Sequence, residues 1–182
     1  FHNRVSFLKA GVRYADRITT VSPTYASEIL SPDFGHGLEG VARQRQSDLV
    51  GILNGADYGL WDPVNDRHLV ERYDRHDISG KKFCKAALLS ELGLPAMVDA
   101  PLIAFNSRLV EQKMADVVLE AAPAMVAAGG QFALLGEGDR RFESAFADLA
   151  RRYPESVSAR IGYDEPAAHR LLAGADILLA PA

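Results

Sequence analysis

One cysteine and one tryptophan are all that 182 residues contain of those types, and aromatic residues make up only 8% of the chain. Cys84, standing alone, cannot form an intrachain disulfide, which suits a reducing, cytoplasmic compartment. No apolar run approaches the roughly 20 residues that span a bilayer, so no membrane partner is expected. Charge of one sign is also missing. The 20 basic and 24 acidic residues are interspersed and leave a net charge of −4, without the basic face of a dedicated nucleic-acid binder. There is no P-loop, no Ser-His-Asp order and no clustered set of metal ligands.

What is present is ordinary globular composition, 48% hydrophobic, with a regular alternation of elements in its second half. The chain begins at Phe1 with helical spacing already under way and ends in a strand pattern, Ile177-Leu178-Leu179. It reads as an internal piece of a longer protein. The first part predicts a helix over 5–13, a strand over 17–22 and a helix over 24–30. Ser22-Pro23 is its start signal and Ser31-Pro32 its stop. A polar helix over 41–47 and a strand over 49–53 follow, the strand breaking at the turn dipeptide Asn54-Gly55. Residues 56–77 have little periodicity and read as a connection, with Trp61-Asp62-Pro63 as a packing anchor. A helix over 79–92 closes on Gly93. Beyond Pro101, strands at 102–106, 131–135, 157–161 and 177–179 alternate with helices at 113–128, after Asp139 and at 166–172. Such alternation means an α/β fold with a parallel sheet and right-handed crossovers.

Open α/β sheets bind ligands at the carboxyl ends of their strands, which directs attention to three turns. The first is Asn106-Ser107-Arg108-Leu109-Val110-Glu111-Gln112-Lys113, where Arg108 ends an apolar run and Lys113 stands where a helical pattern starts. Two such cations at a strand-to-helix crossing suit a phosphate or diphosphate; elsewhere they would be solvated surface charges. The second is Gly136-Glu137-Gly138-Asp139. A tight turn with Asp139 as helix N-cap explains these residues, and a backbone contact from Gly136 or Gly138 to a ligand is the added reading. The third is Gly162-Tyr163, where the glycine permits close approach and the tyrosine ring either faces a base or covers the sheet edge. Asp164 and Glu165 suit the first turn of the next helix. His169, within that helix, reads as a packed or surface residue. Asn54 is a turn residue that also ends a strand where an interdomain cleft could form.

Taken together, several of these segments resemble the bacterial glycogen and starch synthases that use ADP-glucose. They include Ser6-Phe7-Leu8-Lys9-Ala10-Gly11, the run Ala15-Asp16-Arg17-Ile18-Thr19-Thr20-Val21-Ser22-Pro23, and Gly51-Ile52-Leu53-Asn54-Gly55-Ala56-Asp57. Trp61-Asp62-Pro63, Ser107-Arg108-Leu109 with Gln112-Lys113, Gly136-Glu137-Gly138-Asp139 and Ile161-Gly162-Tyr163 follow in the family's order. The resemblance implies a GT-B glycosyltransferase with parts of two Rossmann-like domains, truncated at both ends. Residues 1–53 would close the acceptor-side domain, 54–98 would connect, and 99–182 would open the nucleotide-sugar domain. It implies that Arg108 and Lys113 bind the donor diphosphate and act in catalysis. Gly162 and Tyr163 would line the nucleotide, with Asn54 near the transferred glucose; Gly136 and Gly138 keep the substrate contact read from their turn. The implied partners are ADP-glucose and an α-1,4-glucan, with retention of configuration and no metal or other cofactor. A related transferase using a UDP-sugar, or a non-catalytic sugar-nucleotide-binding module, is the alternative. The piece alone is expected to be inactive, because the family's lysine-glycine-glycine loop and its acid-Pro-Cys-Gly-Leu motif are absent from it. One departure bears on the loop's shape and on Lys113's reach. The family follows its lysine with glycine, and this chain has Met114.

Overall fold

The computed structural model describes residues 5–97 and 99–181. It divides into two compact units, one ending at Asp57 and the other starting at Tyr58.

The first unit holds α1 (Phe7–Tyr14), α2 (Pro23–Glu28), α3 (Pro32–Gly35) and α4 (Glu39–Gln44) with two parallel strands, β1 (Ile18–Val21) and β2 (Leu49–Ile52). Ser22 accepts a hydrogen bond from the Tyr25 N–H, with Pro23 in the first turn, as the sequence predicts. Pro32 departs from its expected role. It ends the preceding segment and also opens α3, because its missing N–H costs nothing in a first turn. Asn54-Gly55 forms no tight turn; residues 53–57 carry no regular structure, and Gly55 stays out of the positive-φ region such a turn would use.

The second unit is a doubly wound layer. Its strands β3 (Leu102–Asn106), β4 (Gln131–Gly136), β5 (Val157–Ile161) and β6 (Ile177–Leu179) are parallel, in the order β5-β4-β3-β6. Four of the five β3 residues and all of β4 are buried, because helices cover both faces. Ile103, Phe105, Phe132 and Leu134 meet α6 (Ala115–Ala127) and α7 (Arg140–Arg152), which contribute Val118, Ala122, Phe142, Phe146 and Leu149. Leu102, Ala104, Ala133 and Leu135 point the other way, toward α5 (Lys81–Leu92) and α8 (Glu165–Gly174). The period-2 alternation of the pleat sorts one apolar run onto two cores. Gly93 terminates α5 at φ 70°, the left-handed cap that the sequence implies. Among the described residues, no helix is long and apolar enough to cross a membrane.

The segment from Tyr58 packs with this second unit rather than lying free between units. Trp61 stacks on the His169 ring of α8, centroids 3.7 Å apart and planes 9° from parallel. Asp66 holds His169 Nδ1 at 2.6 Å, and both residues are buried. The anchoring role read for Trp61 and the packed role read for His169 are therefore two halves of one contact.

Ion pairs tie α5 to the rest of the layer. Lys85 Nζ lies 2.7 Å from Asp176 and donates to the Ala100 carbonyl, while Asp176 also accepts the Leu102 N–H. Glu91 takes Arg170 of α8 at 2.7 Å and Arg160 of β5 at 2.5 Å. The Arg170 hydrogen bond, with help from Arg160, holds the Glu91 carboxyl below its ordinary value of 4.5. A depressed carboxylate stabilises the fold above its unfolded pKa and loses that contribution as pH falls through the folded one. Acidification below about pH 4.5 is therefore expected to lower the urea midpoint by an amount that Glu91→Gln removes. Equal acid sensitivity in both proteins, read from urea titrations at stepped pH, would contradict this assignment.

Candidate donor-phosphate site

The chain leaves β3 at Asn106 and does not fall away from the sheet. The Ser107 N–H reaches the Leu135 carbonyl at 3.3 Å, and the Leu109 N–H reaches the Glu137 carbonyl at 2.9 Å. Asp139 in turn donates its N–H to the Leu109 carbonyl at 2.8 Å, closing an isolated parallel bridge between Leu109 and Gly138. Leu109 is fully buried in the core under α6 and α7. With its neighbours Ser107 and Leu109 pinned, Arg108 is left exposed.

Two glycines make this lacing possible. A Cβ on Gly136 would overlap the Ser107 carbonyl, and one on Gly138 would overlap the Leu109 backbone. Both are glycine because another strand-end backbone occupies the space a side chain would need. The Gly138 N–H is taken by the Glu143 carboxylate at 2.9 Å. That contact corrects one detail of the sequence reading. Asp139 stands at the N-cap of α7 but makes no side-chain cap bond; Glu143 reaches back instead.

Lys113 closes a single 3-10 turn, Glu111–Lys113, and so precedes the helix instead of beginning it. Its N–H donates to the Val110 carbonyl at 3.0 Å. Met114 follows at φ 52° and ψ 37°, left-handed, and α6 starts at Ala115. The methionine therefore adopts the conformation that a glycine would take freely. Lys113 lines a hollow of ≈ 310 Å³ with Phe105, Asn106, Ser107, Leu172 and the end of β6; Arg108 is not among its lining residues.

One neighbouring cation is already matched. Arg141 lies 2.6 Å from Glu111, which raises its pKa, and its guanidinium covers the Phe142 ring. Among the described residues the Arg108 and Lys113 side chains have no hydrogen-bond or ion-pair partner. Gly162 sits at the end of β5, and its N–H donates to the Gly136 carbonyl at 3.0 Å. Its glycine requirement is torsional: φ is 131°, and a Cβ there would touch nothing. Tyr163 is exposed, with its hydroxyl 3.4 Å from Glu165, and Asp164 caps α8 by accepting the Ala167 N–H as expected.

The structure thus gathers Arg108, Lys113, Gly136, Gly138, Gly162 and Tyr163 on the carboxyl edge of one sheet. Asn54 lies exposed after β2 in the other unit. The Asp66–His169 pair escaped the sequence reading, since 103 residues separate its members and no local pattern links them.

A parallel, doubly wound layer with a cationic turn at its carboxyl edge defines the class, a Rossmann-like half of GT-B type. Comparison with known proteins narrows it. The family model described as "Starch synthase catalytic domain" matches residues 1–44. The glycogen synthase of Burkholderia thailandensis is 56% identical over 98% of this chain, and that of Anaeromyxobacter dehalogenans strain 2CP-C is 51% identical over all of it. The chain spans 34% and 38% of those two relatives' lengths. The catalytic domain of starch synthase IV from Arabidopsis thaliana, solved with ADP and acarbose, matches with a TM-score of 0.90 and 32% identity. That match covers 96% of this chain and 36% of the solved one. The chain belongs to the family of the bacterial glycogen synthases and the starch synthases.

Met114→Gly should relieve a left-handed strain of about 1 kcal/mol, partly offset by the entropy of a more flexible unfolded chain. The expected result is a Tm higher by about 2 °C in a thermal melt. A lower Tm would mean that the methionine side chain contributes packing that outweighs its backbone strain.

Proposed function

We propose that this chain carries the donor-diphosphate part of a retaining glucosyltransferase. That enzyme moves glucose from ADP-glucose to the non-reducing end of an α-1,4-glucan. The observation that carries the reading is the pair of cations without partners, Arg108 and Lys113, on the carboxyl edge of the sheet, beside an Arg141 that Glu111 already holds. The family membership and the ADP-bound relative support it.

The chemistry follows from charge. As the glycosidic bond to the diphosphate breaks, negative charge grows on the leaving oxygen and the sugar becomes oxocarbenium-like. Cations fixed in advance stabilise that charge more in the transition state than in the ground state. Arg108 offers a planar fork to two phosphate oxygens and Lys113 a compact point charge. In this reading Gly162 and Tyr163 border the nucleotide, Gly136 and Gly138 shape the loop and Asn54 serves the sugar side. The two side-chain cations take the role a metal would fill, so no cofactor enters.

In the intact protein, Arg108→Ala and Lys113→Ala should each cost about 2–4 kcal/mol of transition-state stabilisation, read as a fall in kcat/KM with ADP-glucose. Near-normal kcat/KM in either variant would remove that residue from the mechanism. Turnover of UDP-glucose in preference to ADP-glucose would reassign the donor, and ADP binding without any turnover would leave a non-catalytic module.

A further inference from the structure

A second surface of the Tyr58-onward unit has the make-up of a sugar site. Tyr58, Trp61, Asp62, Pro63, Asp74 and Arg75 are among the residues lining an open groove of ≈ 570 Å³. None of them belongs to the strand-end turns described above. Tyr58 is 77% exposed and Trp61, the only tryptophan in the chain, is 39% exposed. Exposed aromatics of this size are ordinarily turned inward or covered.

Trp61 is not loose. His169 backs one face of its indole in a 3.7 Å stack, and Asp66 fixes His169 in turn at 2.6 Å. The ring is a platform set before any ligand arrives, so a ligand stacking on it meets little ordering cost in the protein. Polar groups flank the platform. Asp62 accepts the Val64 N–H through one carboxylate oxygen, and Asp74 uses one of its own to accept the His76 and Asp77 N–H groups. Those backbone bonds hold the Asp74 carboxyl below its ordinary value, so it stays an acceptor near neutral pH. Each carboxylate keeps acceptor capacity directed at no protein donor among these contacts. Arg75 supplies donors on the same rim.

Flat aromatic surface beside fixed carboxylate acceptors fits a ligand with an apolar ring face and a hydroxyl rim. A pyranose has both. We propose that the Tyr58–Trp61 groove is a glucan-holding subsite that takes a segment of α-1,4-linked glucose chain, separate from the strand-end turns. The choice of sugar rests on the reading under Proposed function; the aromatic platform does not.

Because Trp61 is the sole tryptophan, its emission reports on this groove alone. Titrating the chain with maltoheptaose is expected to change Trp61 emission saturably, with a response that excess ADP leaves in place. Tyr58→Ala, at an exposed position that the fold does not need, should weaken the apparent affinity about fivefold while the far-UV circular dichroism is unchanged. No change in emission at millimolar maltoheptaose, or an equal response in Tyr58→Ala, overturns the subsite. An equal response to cellohexaose overturns its α-1,4 selectivity. A maltoheptaose response in a chain that does not bind ADP upholds the groove while removing the donor reading, so the two fail separately.

Discussion

The site depends on how closely two stretches of backbone approach. The exit of β4 through Gly136 and Gly138 lies directly against Ser107–Leu109, with three backbone hydrogen bonds between the exits and no room for a Cβ at either glycine. That contact turns what would be a free loop after β3 into an extension of the sheet. It fixes Leu109 inward and leaves Arg108 outward. Without it, a cation at the strand end would sample many positions, and its charge would be spread over them. Preorganisation of this kind is what makes a fixed charge effective toward a developing one.

Several other cations of this unit are held by carboxylates. Arg141 is taken by Glu111, Arg160 and Arg170 by Glu91, and Lys85 by Asp176. These pairs fasten α5, α7 and α8 around the sheet. The exposed pair Arg141–Glu111 contributes modestly to stability, but each of these pairs occupies its cation. Arg108 and Lys113 remain as charges without a structural task, placed on the edge where α/β sheets take ligands.

Much of this was legible in the sequence. The strands at 102–106, 157–161 and 177–179 stand at their expected bounds, because short apolar runs bounded by Gly, Pro and polar turns leave little freedom. Other features were not legible, for physical reasons. The requirement for Gly136 and Gly138 comes from a backbone 29 residues away in each case, which no local pattern encodes. Met114 looks unfit for a left-handed turn by propensity, yet tertiary context holds it there. Asn54-Gly55 carries a strong turn signal and makes no turn, so a local preference yields where the chain must run on. The burial of His169 against Trp61 and Asp66 likewise belongs to the packed state alone.

The β4 exit glycines hold the turn that carries Arg108 in place. Gly138→Ala tests it most directly, since Gly138 is itself exposed and an added Cβ meets the Leu109 backbone next to Arg108. Calorimetric titration with ADP should show affinity weaker by about tenfold, at unchanged far-UV circular dichroism, as expected when a charge-assisted contact is misplaced. Unchanged ADP affinity in a folded Gly138→Ala protein would contradict the account.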